Sequence, residues 1–359
     1  MRLGFALEYS LGHTTHAQNL KRTLTQRSDI VPTYVDLPYD GISGAWTRLP
    51  GVRSNWSLRA SLAAWLGMRR HIKHLDGALY HTQVTSLFAA GLMRQVPSVI
   101  SLDATPLQYD ALGAFYGHVP SSNPRLEALK KRLNQRAFGA ARHLVAWSEW
   151  TKASLAADYG VAPEKVSVVP PGIDTDLWRR DRPARSAGPL NLLFVGGDFP
   201  RKGGDTLLAA FKCLPPGLAQ LTIVTKTPNS GDNLANVTVR HDIQPNSEAL
   251  LKLYSEADLF VFPTRGDCLP LAVMEALTSG LPVVTTTVGA LPEAVTHGET
   301  GWIVPPDDPA ALTDALQTLA GNRTLLARLS REAAVVGMER FNAATNYGRL
   351  IDIVSGANR

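Results

Sequence analysis

The chain has 359 residues, of which 45% are hydrophobic and 19% are charged, and its formal net charge is +5. This length favours two domains, and the composition is that of a soluble globular protein. Because no uncharged apolar stretch approaches about 18 residues, we expect no membrane-spanning helix.

Strand-like and helix-like runs alternate through the first half of the chain. The opening run RLGFAL (2–7) precedes a helix-like run at 13–24, and Glu8 interrupts the apolar stretch, so it is not the core of a secretory signal. The later runs are strand-like at 78–81, 98–101, 143–147 and 165–170, and helix-like at 84–95 and 148–160. Apolar strands that alternate with helices predict a parallel sheet covered on both faces.

The basic excess belongs to the first half. Residues 1–179 hold 20 Lys and Arg against 13 Asp and Glu, and the excess clusters in helix-like runs at 53–74 and 125–143. A basic helix that bears Trp56 and Trp65 is suited to an anionic membrane surface, so peripheral attachment is one interpretation. A solvated helix face above an apolar core is the other. No nucleic-acid partner is predicted, because the chain contains no recognisable binding module or aromatic platform.

A polar, Pro-containing stretch at 179–189 predicts a linker. The predicted domains are therefore 1–179 and 190–338, with the linker at 180–189. Strand-like runs then recur at 190–197, 220–225, 236–242, 258–264 and 282–287, with helix-like runs at 204–214, 247–257 and 270–280. Two doubly wound halves predict ligand sites beyond the carboxyl ends of the strands, in a cleft between the domains.

The loop VGGDFPRKGG (195–204) connects a strand-like run to a helix-like run. It matches neither GxGxxG nor GxxxxGK[ST], so neither a dinucleotide fingerprint nor a P-loop is predicted. Arg201 and Lys202 beside a helix N-terminus provide the cationic groups that a diphosphate requires. The alternative is a surface Arg-Lys pair with no ligand.

The stretch PTRGDCLPLAVMEALTSGLPVV (263–284) places two acids on either side of a predicted helix start. Pro270 suits the beginning of the helix and Gly280 its end. Asp267 precedes the helix, where it is either a ligand-binding acid or a cap. Glu275 lies about 7.5 Å along the helix axis, where it is either a ligand-binding acid or a solvated residue.

These motifs together resemble the retaining nucleotide-sugar glycosyltransferases of family 4, also called glycosyl transferases group 1. Asp267-CLPLAVM-Glu275 followed by ALTSGLPVV is similar to the family's pair of acids, although the first acid there is usually Glu. The diphosphate loop, the segment at 288–316 and the segment at 148–178 also resemble the family. The resemblance implies the GT-B fold, an α/β architecture in which two Rossmann-like doubly wound domains face each other across a cleft, and a last segment (339–359) that returns to the first domain.

The resemblance also implies roles for individual residues. Glu275 would bind the donor ribose, Asp267 would bind hydroxyls of the donor sugar, and Arg201 and Lys202 would bind the diphosphate. The remaining donor-binding candidates are Gly12, Gly196, Gly197, Leu271, Gly289 and Ala290.

Two departures from the family pattern concern the charges at the site. Asp103, in VISLDAT, stands where the family commonly has His, so it is a candidate for contacting the sugar or acceptor, or else it caps a turn. Gly197 stands where the family often has Arg.

His13, His16, His81 and His118 show no metal-ligand spacing, so they are interpreted as hydrogen-bonding residues. Cys213 and Cys268 form no CxxC pair, which favours a reducing, cytoplasmic compartment.

The predicted function is therefore the transfer of a hexose from a nucleoside-diphosphate sugar to an acceptor hydroxyl. Arg, Lys and helix ends supply the positive charge, so no metal or other cofactor is expected. A nucleotide-sugar epimerase or hydrolase of the same fold is one alternative, and a noncatalytic nucleotide-sugar-binding module is another.

Overall fold

The chain forms two compact units, each built around its own sheet. The computed structural model describes residues 1–10, 12–44, 47, 52–53, 55–117, 119, 121–179, 188–228, 230–231 and 234–356. The first unit comprises Met1–Ala114, His118–Gly172 and Ala343–Arg359, and the second comprises Phe115–Gly117 and Ile173–Asn342. Each sheet has six strands, and every pairing is parallel. The predicted α/β class with two doubly wound halves is confirmed.

The sheet of the first unit has the strand order β2-β1-β3-β4-β5-β6. Its strands are β1 (Arg2–Tyr9), β2 (Val31–Pro38), β3 (Gly77–His81), β4 (Ser98–Leu102), β5 (His143–Ala146) and β6 (Val166–Val168). Its helices are α1 (His13–Leu24), α2 (Trp56–His71), α3 (Gln83–Ser86), α4 (Ala90–Met93), α5 (Pro106–Ala111), α6 (Pro124–Ala140), α7 (Glu149–Tyr159) and, near the end of the chain, α15 (Ala343–Ser355).

Alternating side chains of β1 enter two different hydrophobic cores, one on each face of the sheet. Leu3, Phe5 and Leu7 belong to the core that α1 and α15 cover, whereas Ala6 belongs to the core that contains residues of α2, α4 and α6. Successive side chains of a strand point to opposite faces, so a strand buried on both faces must be apolar throughout. The run GFAL meets that requirement.

The sheet of the second unit has the strand order β12-β11-β10-β7-β8-β9. Its strands are β7 (Leu190–Val195), β8 (Ala219–Val224), β9 (Val237–Arg240), β10 (Leu259–Phe262), β11 (Val283–Thr286) and β12 (Gly301–Val304). Its helices are α8 (Thr175–Trp178), α9 (Gly204–Lys212), α10 (Glu248–Glu256), α11 (Leu271–Thr278), α12 (Leu291–Ala294), α13 (Pro309–Ala320) and α14 (Arg323–Arg340). Neighbouring strands β7, β10 and β11 end at the same edge, where the candidate site lies.

The chain passes from the first unit to the second between Gly172 and Ile173, earlier than the linker predicted at 180–189. Ile173 belongs to the second unit because its N–H donates to the carbonyl oxygen of Phe341 at 2.6 Å. Residues 180–187 of the predicted linker lie outside the described residues. The chain returns to the first unit at Ala343. No helix in the described part of the chain is both long enough and apolar enough to span a membrane.

Candidate active site

The loop after β7 places Arg201 and Lys202 immediately before helix α9. Gly203 allows this turn, because its φ is +77° and an added Cβ would lie 1.9 Å from the carbonyl oxygen of Pro263. Gly196 lies against the stem of Lys202, where an added Cβ would lie 2.9 Å from Cγ, whereas the same position on Gly197 faces open space. The two glycines therefore differ, since Gly196 makes room for Lys202 and Gly197 leaves room for a ligand.

Asp267, in the loop after the neighbouring strand β10, meets these two cations. Lys202 Nζ donates to Asp267 Oδ2, and Arg201 Nη1 lies 3.8 Å from Asp267 Oδ1. Arg201 Nη1 also donates to the carbonyl oxygen of Gly266 at 2.8 Å. The structure thus brings Asp267 together with Arg201 and Lys202, which lie 66 and 65 positions before it in the chain. Asp267 does not cap α11, whose N-cap is Pro270 without a side-chain cap bond.

Arg201 and Lys202 are not a surface pair. The Arg201 side chain is 5% exposed and that of Lys202 is 14% exposed. Burial lowers the pKa of Lys202, Asp267 opposes this effect, and Arg201 lowers the pKa further. An added anion beside Lys202 would favour its charged form.

The sequence did not indicate two other residues that fix this arrangement. Thr264 Oγ1 donates to the carbonyl oxygen of Arg201 at 3.2 Å and lies 3.4 Å from Asp267 Oδ2. Asp198 Oδ2 accepts from Arg201 Nε at 3.0 Å. Both residues follow strands, and that position was their only signal. Through these contacts Arg201 connects the loop after β7 to the loop after β10. Lys202 is therefore the more accessible of the two cations.

The loop after β11 packs against the backbone of Asp267. Gly289 has a φ of +57°, and an added Cβ would lie 2.2 Å from the carbonyl oxygen of Asp267. The N–H of Ala290 donates to the carbonyl oxygen of Cys268 at 2.9 Å. Ala290 was a candidate for donor binding through its backbone, but in this arrangement its N–H is already engaged by Cys268. Gly289 therefore shapes the site by letting the two loops approach closely.

Glu275 lies in the second turn of α11, and it is buried rather than solvated, with 6% of its surface exposed. Burial raises the pKa of Glu275 to about 7, although the hydroxyl of Tyr254, 3.4 Å from Oε2, opposes the increase. A carboxyl group in this position can change its protonation state near neutral pH. Leu271, the first residue of α11, is also buried.

The candidate residues of the first unit form a separate group. Asp103 follows β4, and its Oδ2 lies 3.6 Å from Nε2 of His13. Asp103 does not cap the next helix, because Thr105 caps α5. Gly12 precedes α1 with a φ of −65°, a value open to any residue. Its predicted role in donor binding stays a prediction.

His13, His16 and His81 are hydrogen-bonded residues of the first unit, as their sequence context predicted. His118 lies outside the described residues. No group of three or more His, Cys, Asp or Glu side chains in the described ranges is arranged to hold a metal ion.

Comparison with known proteins gives two family matches, one in each half of the chain. The model described as Glycosyltransferase Family 4 matches residues 12–177, and the model described as Glycosyl transferases group 1 matches residues 189–322. D-inositol 3-phosphate glycosyltransferases from Corynebacterium glutamicum and Corynebacterium efficiens are 33% and 32% identical to this chain. These matches cover 55% and 57% of this chain, and 53% and 54% of the relatives. The chain thus spans about half the length of these curated relatives.

Solved structures with the same fold cover the whole chain. Sucrose-phosphate synthase from Thermosynechococcus elongatus has a TM-score of 0.77 at 19% identity, and the match covers 100% of both chains. HepE from Anabaena, solved in complex with UDP and glucose, has a TM-score of 0.71 at 16% identity and covers 99% of both chains. At these identities the likeness concerns the fold.

Proposed function

Because the chain belongs to the glycosyltransferases, with a family 4 domain followed by a group 1 domain, we propose that it transfers a hexose from a nucleoside-diphosphate sugar to an acceptor hydroxyl. The transfer retains the configuration of the sugar and requires no metal. The observation that carries the proposal is the convergence of Arg201, Lys202 and Asp267 at the carboxyl edge of the second sheet.

The diphosphate of the donor binds to Lys202, which lies two residues before the first residue of α9. An ammonium group beside the positive end of a helix attracts phosphate oxygens, and Gly197 leaves open space in the same loop. The fold supports this assignment, because the related HepE structure was solved with UDP and glucose. UDP-sugars are therefore the first donors to test.

Donor binding changes the partners of Asp267. In the structure Lys202 Nζ donates to Asp267 Oδ2. A diphosphate competes for that ammonium group, which releases a carboxylate oxygen of Asp267 for hydroxyls of the donor sugar. Asp267 thus binds the sugar and Lys202 binds the leaving diphosphate, because the bound donor breaks the contact between these two side chains.

Glu275 binds the ribose hydroxyls in its ionised form. Hydroxyl groups donate to a carboxylate, so ribose binding offsets the burial penalty that otherwise keeps this group neutral up to a pH of about 7. Donor binding near neutral pH is therefore coupled to proton release from Glu275.

The chemical step places negative charge on the leaving diphosphate. The bond between the anomeric carbon and the phosphate oxygen breaks, the bond to the acceptor oxygen forms on the same face, and the acceptor proton passes to the leaving phosphate. Lys202 is fixed before the reaction, so it stabilises this charge without reorganisation. One preorganised donor of this kind contributes about 3 kcal/mol.

Exposed basic residues of the first unit support peripheral binding to anionic membranes. Arg69, Arg70 and Lys73 are exposed at the end of α2 and just beyond it, and α6 exposes Leu126 and Leu129. We propose that these exposed residues bind anionic lipid. Flotation with vesicles of phosphatidylglycerol and phosphatidylcholine at low salt tests it, and the absence of co-flotation would contradict it.

A direct assay tests the proposed reaction. The protein is incubated with labelled UDP-, GDP- and ADP-sugars and a panel of hydroxyl acceptors. The panel includes D-inositol 3-phosphate because curated relatives are named for it. We expect release of nucleoside diphosphate that depends on the acceptor, together with a glycosylated product. Free sugar without such a product would indicate a hydrolase, and binding without turnover would indicate a noncatalytic module.

A further inference from the structure

Three polar residues from separate parts of the first unit converge at the carboxyl edge of its sheet. His13 is the first residue of α1, His81 is the last residue of β3, and Asp103 directly follows β4. Strands β1, β3 and β4 are neighbours, so the loops at their ends meet. None of the roles proposed above uses His13.

A chain of hydrogen bonds fixes the protons on the two histidines. His81 Nδ1 lies 3.2 Å from the carbonyl oxygen of Ser101, and because a carbonyl only accepts, Nδ1 carries the hydrogen. Burial lowers the pKa of His81 well below its usual value, so the ring is neutral and its Nε2 accepts. His13 Nδ1, 3.0 Å from that nitrogen, must therefore donate.

The remaining ring nitrogen of His13 faces Asp103. The distance between Nε2 and Asp103 Oδ2 is 3.6 Å, which is too long for a direct hydrogen bond. The two side chains are 15% and 18% exposed, so a ligand can reach both. When Nε2 is protonated, it provides one donor directly opposite one acceptor.

A hydroxyl group matches this pair because its oxygen accepts one hydrogen bond while its hydrogen makes another. We propose that His13 and Asp103 together bind a hydroxyl group of the acceptor. The hydroxyl oxygen accepts from His13 Nε2–H and the hydroxyl hydrogen is donated to Asp103 Oδ2. The identity of the ligand as an acceptor rests on the proposed function.

Other ligand classes fit less well. A phosphate group would meet the carboxylate of Asp103, whereas the cations suited to phosphate, Arg201 and Lys202, lie in the second unit. A metal ion would find few ligand atoms, because both nitrogens of His81 and Nδ1 of His13 are engaged in hydrogen bonds.

The groups around His13 determine the charge that a ligand meets there. Among the described residues, the groups that face His13 are Asp103, the neutral His81, the ring of Trp147 and His16. His16 is neutral as well, since burial lowers its pKa to about 3. Asp103 is therefore the charged partner that His13 meets.

The test compares His13→Asn with His13→Gln, using purified full-length protein and the donor and acceptor that the turnover assay identifies. Asn keeps an amide N–H near the position of Nδ1 but removes the donor at Nε2, whereas Gln keeps a neutral donor near Nε2. We expect His13→Asn to raise the KM for the acceptor on the order of tenfold to a hundredfold, as the loss of a charge-assisted hydrogen bond predicts. His13→Gln recovers part of this loss.

The separate measurement of KM and kcat distinguishes a binding role from a structural one. In His13→Asn the KM for the acceptor rises while kcat and the KM for the donor stay close to the wild-type values, and in His13→Gln the rise is smaller. His143→Asn is the matched control, since His143 lies elsewhere in the same unit and contacts Ser167 Oγ at 2.8 Å. Its KM for the acceptor stays like that of the wild type.

Three outcomes would overturn the inference. An unchanged KM for the acceptor in His13→Asn removes the proposed contact while the proposed function stands. A raised KM for the donor alone assigns the pair to the transferred sugar instead of the acceptor. No transfer by the wild-type protein contradicts the proposed function itself. Binding of nucleoside diphosphate by the variants shows that the second unit is intact.

Discussion

Replacing Glu275 with glutamine removes the one buried carboxyl group of the candidate site whose pKa is raised to about 7. Glutamine has nearly the same shape as the protonated acid and carries no charge. In the unfolded chain the carboxyl group ionises with a pKa of 4.5, so the folded state alone retains the proton between that value and about 7. The stability that the acid contributes is therefore present below about pH 4.5 and is lost as the pH rises through about 7.

The size of the effect follows from the two pKa values. A rise from 4.5 to about 7 corresponds to about 3 kcal/mol, since one pKa unit is worth about 1.36 kcal/mol. We therefore expect Glu275→Gln to match the wild-type protein near pH 4.5. Near pH 8 it should be more stable than the unliganded wild type by about 3 kcal/mol.

Urea unfolding of both proteins at several pH values between about 4.5 and 8 measures the difference. The difference is the useful quantity, because His16 acts in the opposite direction. Burial lowers the pKa of His16 to about 3, so the contribution of His16 to stability rises as the pH increases up to 6.5, the pKa of this group in the unfolded chain. That contribution is common to both proteins and cancels. Parallel pH profiles for the two proteins would refute the reasoning.

Three further predictions concern the same site. Gly289→Ala should destabilise the protein by about 1–3 kcal/mol and impair donor binding, because the new Cβ would lie 2.2 Å from the Asp267 carbonyl oxygen. Gly298→Ala, with a φ of +78° and open space around it, is the control, and equal loss of donor binding in both would contradict the contact. Asp267→Asn should raise affinity for nucleoside diphosphate by releasing Lys202 while it lowers sugar transfer, as titration and turnover assays can measure. Chelation by EDTA should leave turnover unchanged, whereas inhibition that Mg²⁺ reverses would contradict a metal-free reaction.

The fold could be predicted wherever strands were apolar along their whole length. Strand β2 was not predicted, because Pro32 and Asp36 interrupt its apolar run. An edge strand such as β2 tolerates these residues, whereas a central strand does not. Strand β12 (Gly301–Val304) was also missed, because its three apolar residues lie between Gly301 and Pro305, residue types that usually mark turns.

The site was predictable in its position but not in its electrostatics. Lys202 and Asp267 both follow apolar strands, and parallel strands that are neighbours bring such residues together. Glu275 contacts the hydroxyl of Tyr254, and Lys202 Nζ lies 5.2 Å from the ring centroid of Phe262. These contacts come from other elements, so no local pattern records them.

The histidine cluster could not be found from spacing either. His13 and His81 are 68 positions apart, and Asp103 lies a further 22 positions along the chain. Motif searches compare residues within one helix or loop, whereas this group is assembled by the order of strands β1, β3 and β4. The requirement for glycine at position 289 could not be predicted either, because it arises from a close contact with the backbone of Asp267 that only the fold creates.

Calorimetric titration of UDP, GDP and ADP into three proteins tests most directly whether the second unit holds a diphosphate. The proteins are the wild type, Lys202→Met and the control Lys252→Met, whose lysine is exposed on α10. We expect at least one nucleotide to bind the wild type and the control alike, and to bind Lys202→Met on the order of tenfold to a hundredfold more weakly. Equal affinity for all three proteins, or no binding of any of these nucleotides to the wild type, would contradict the account.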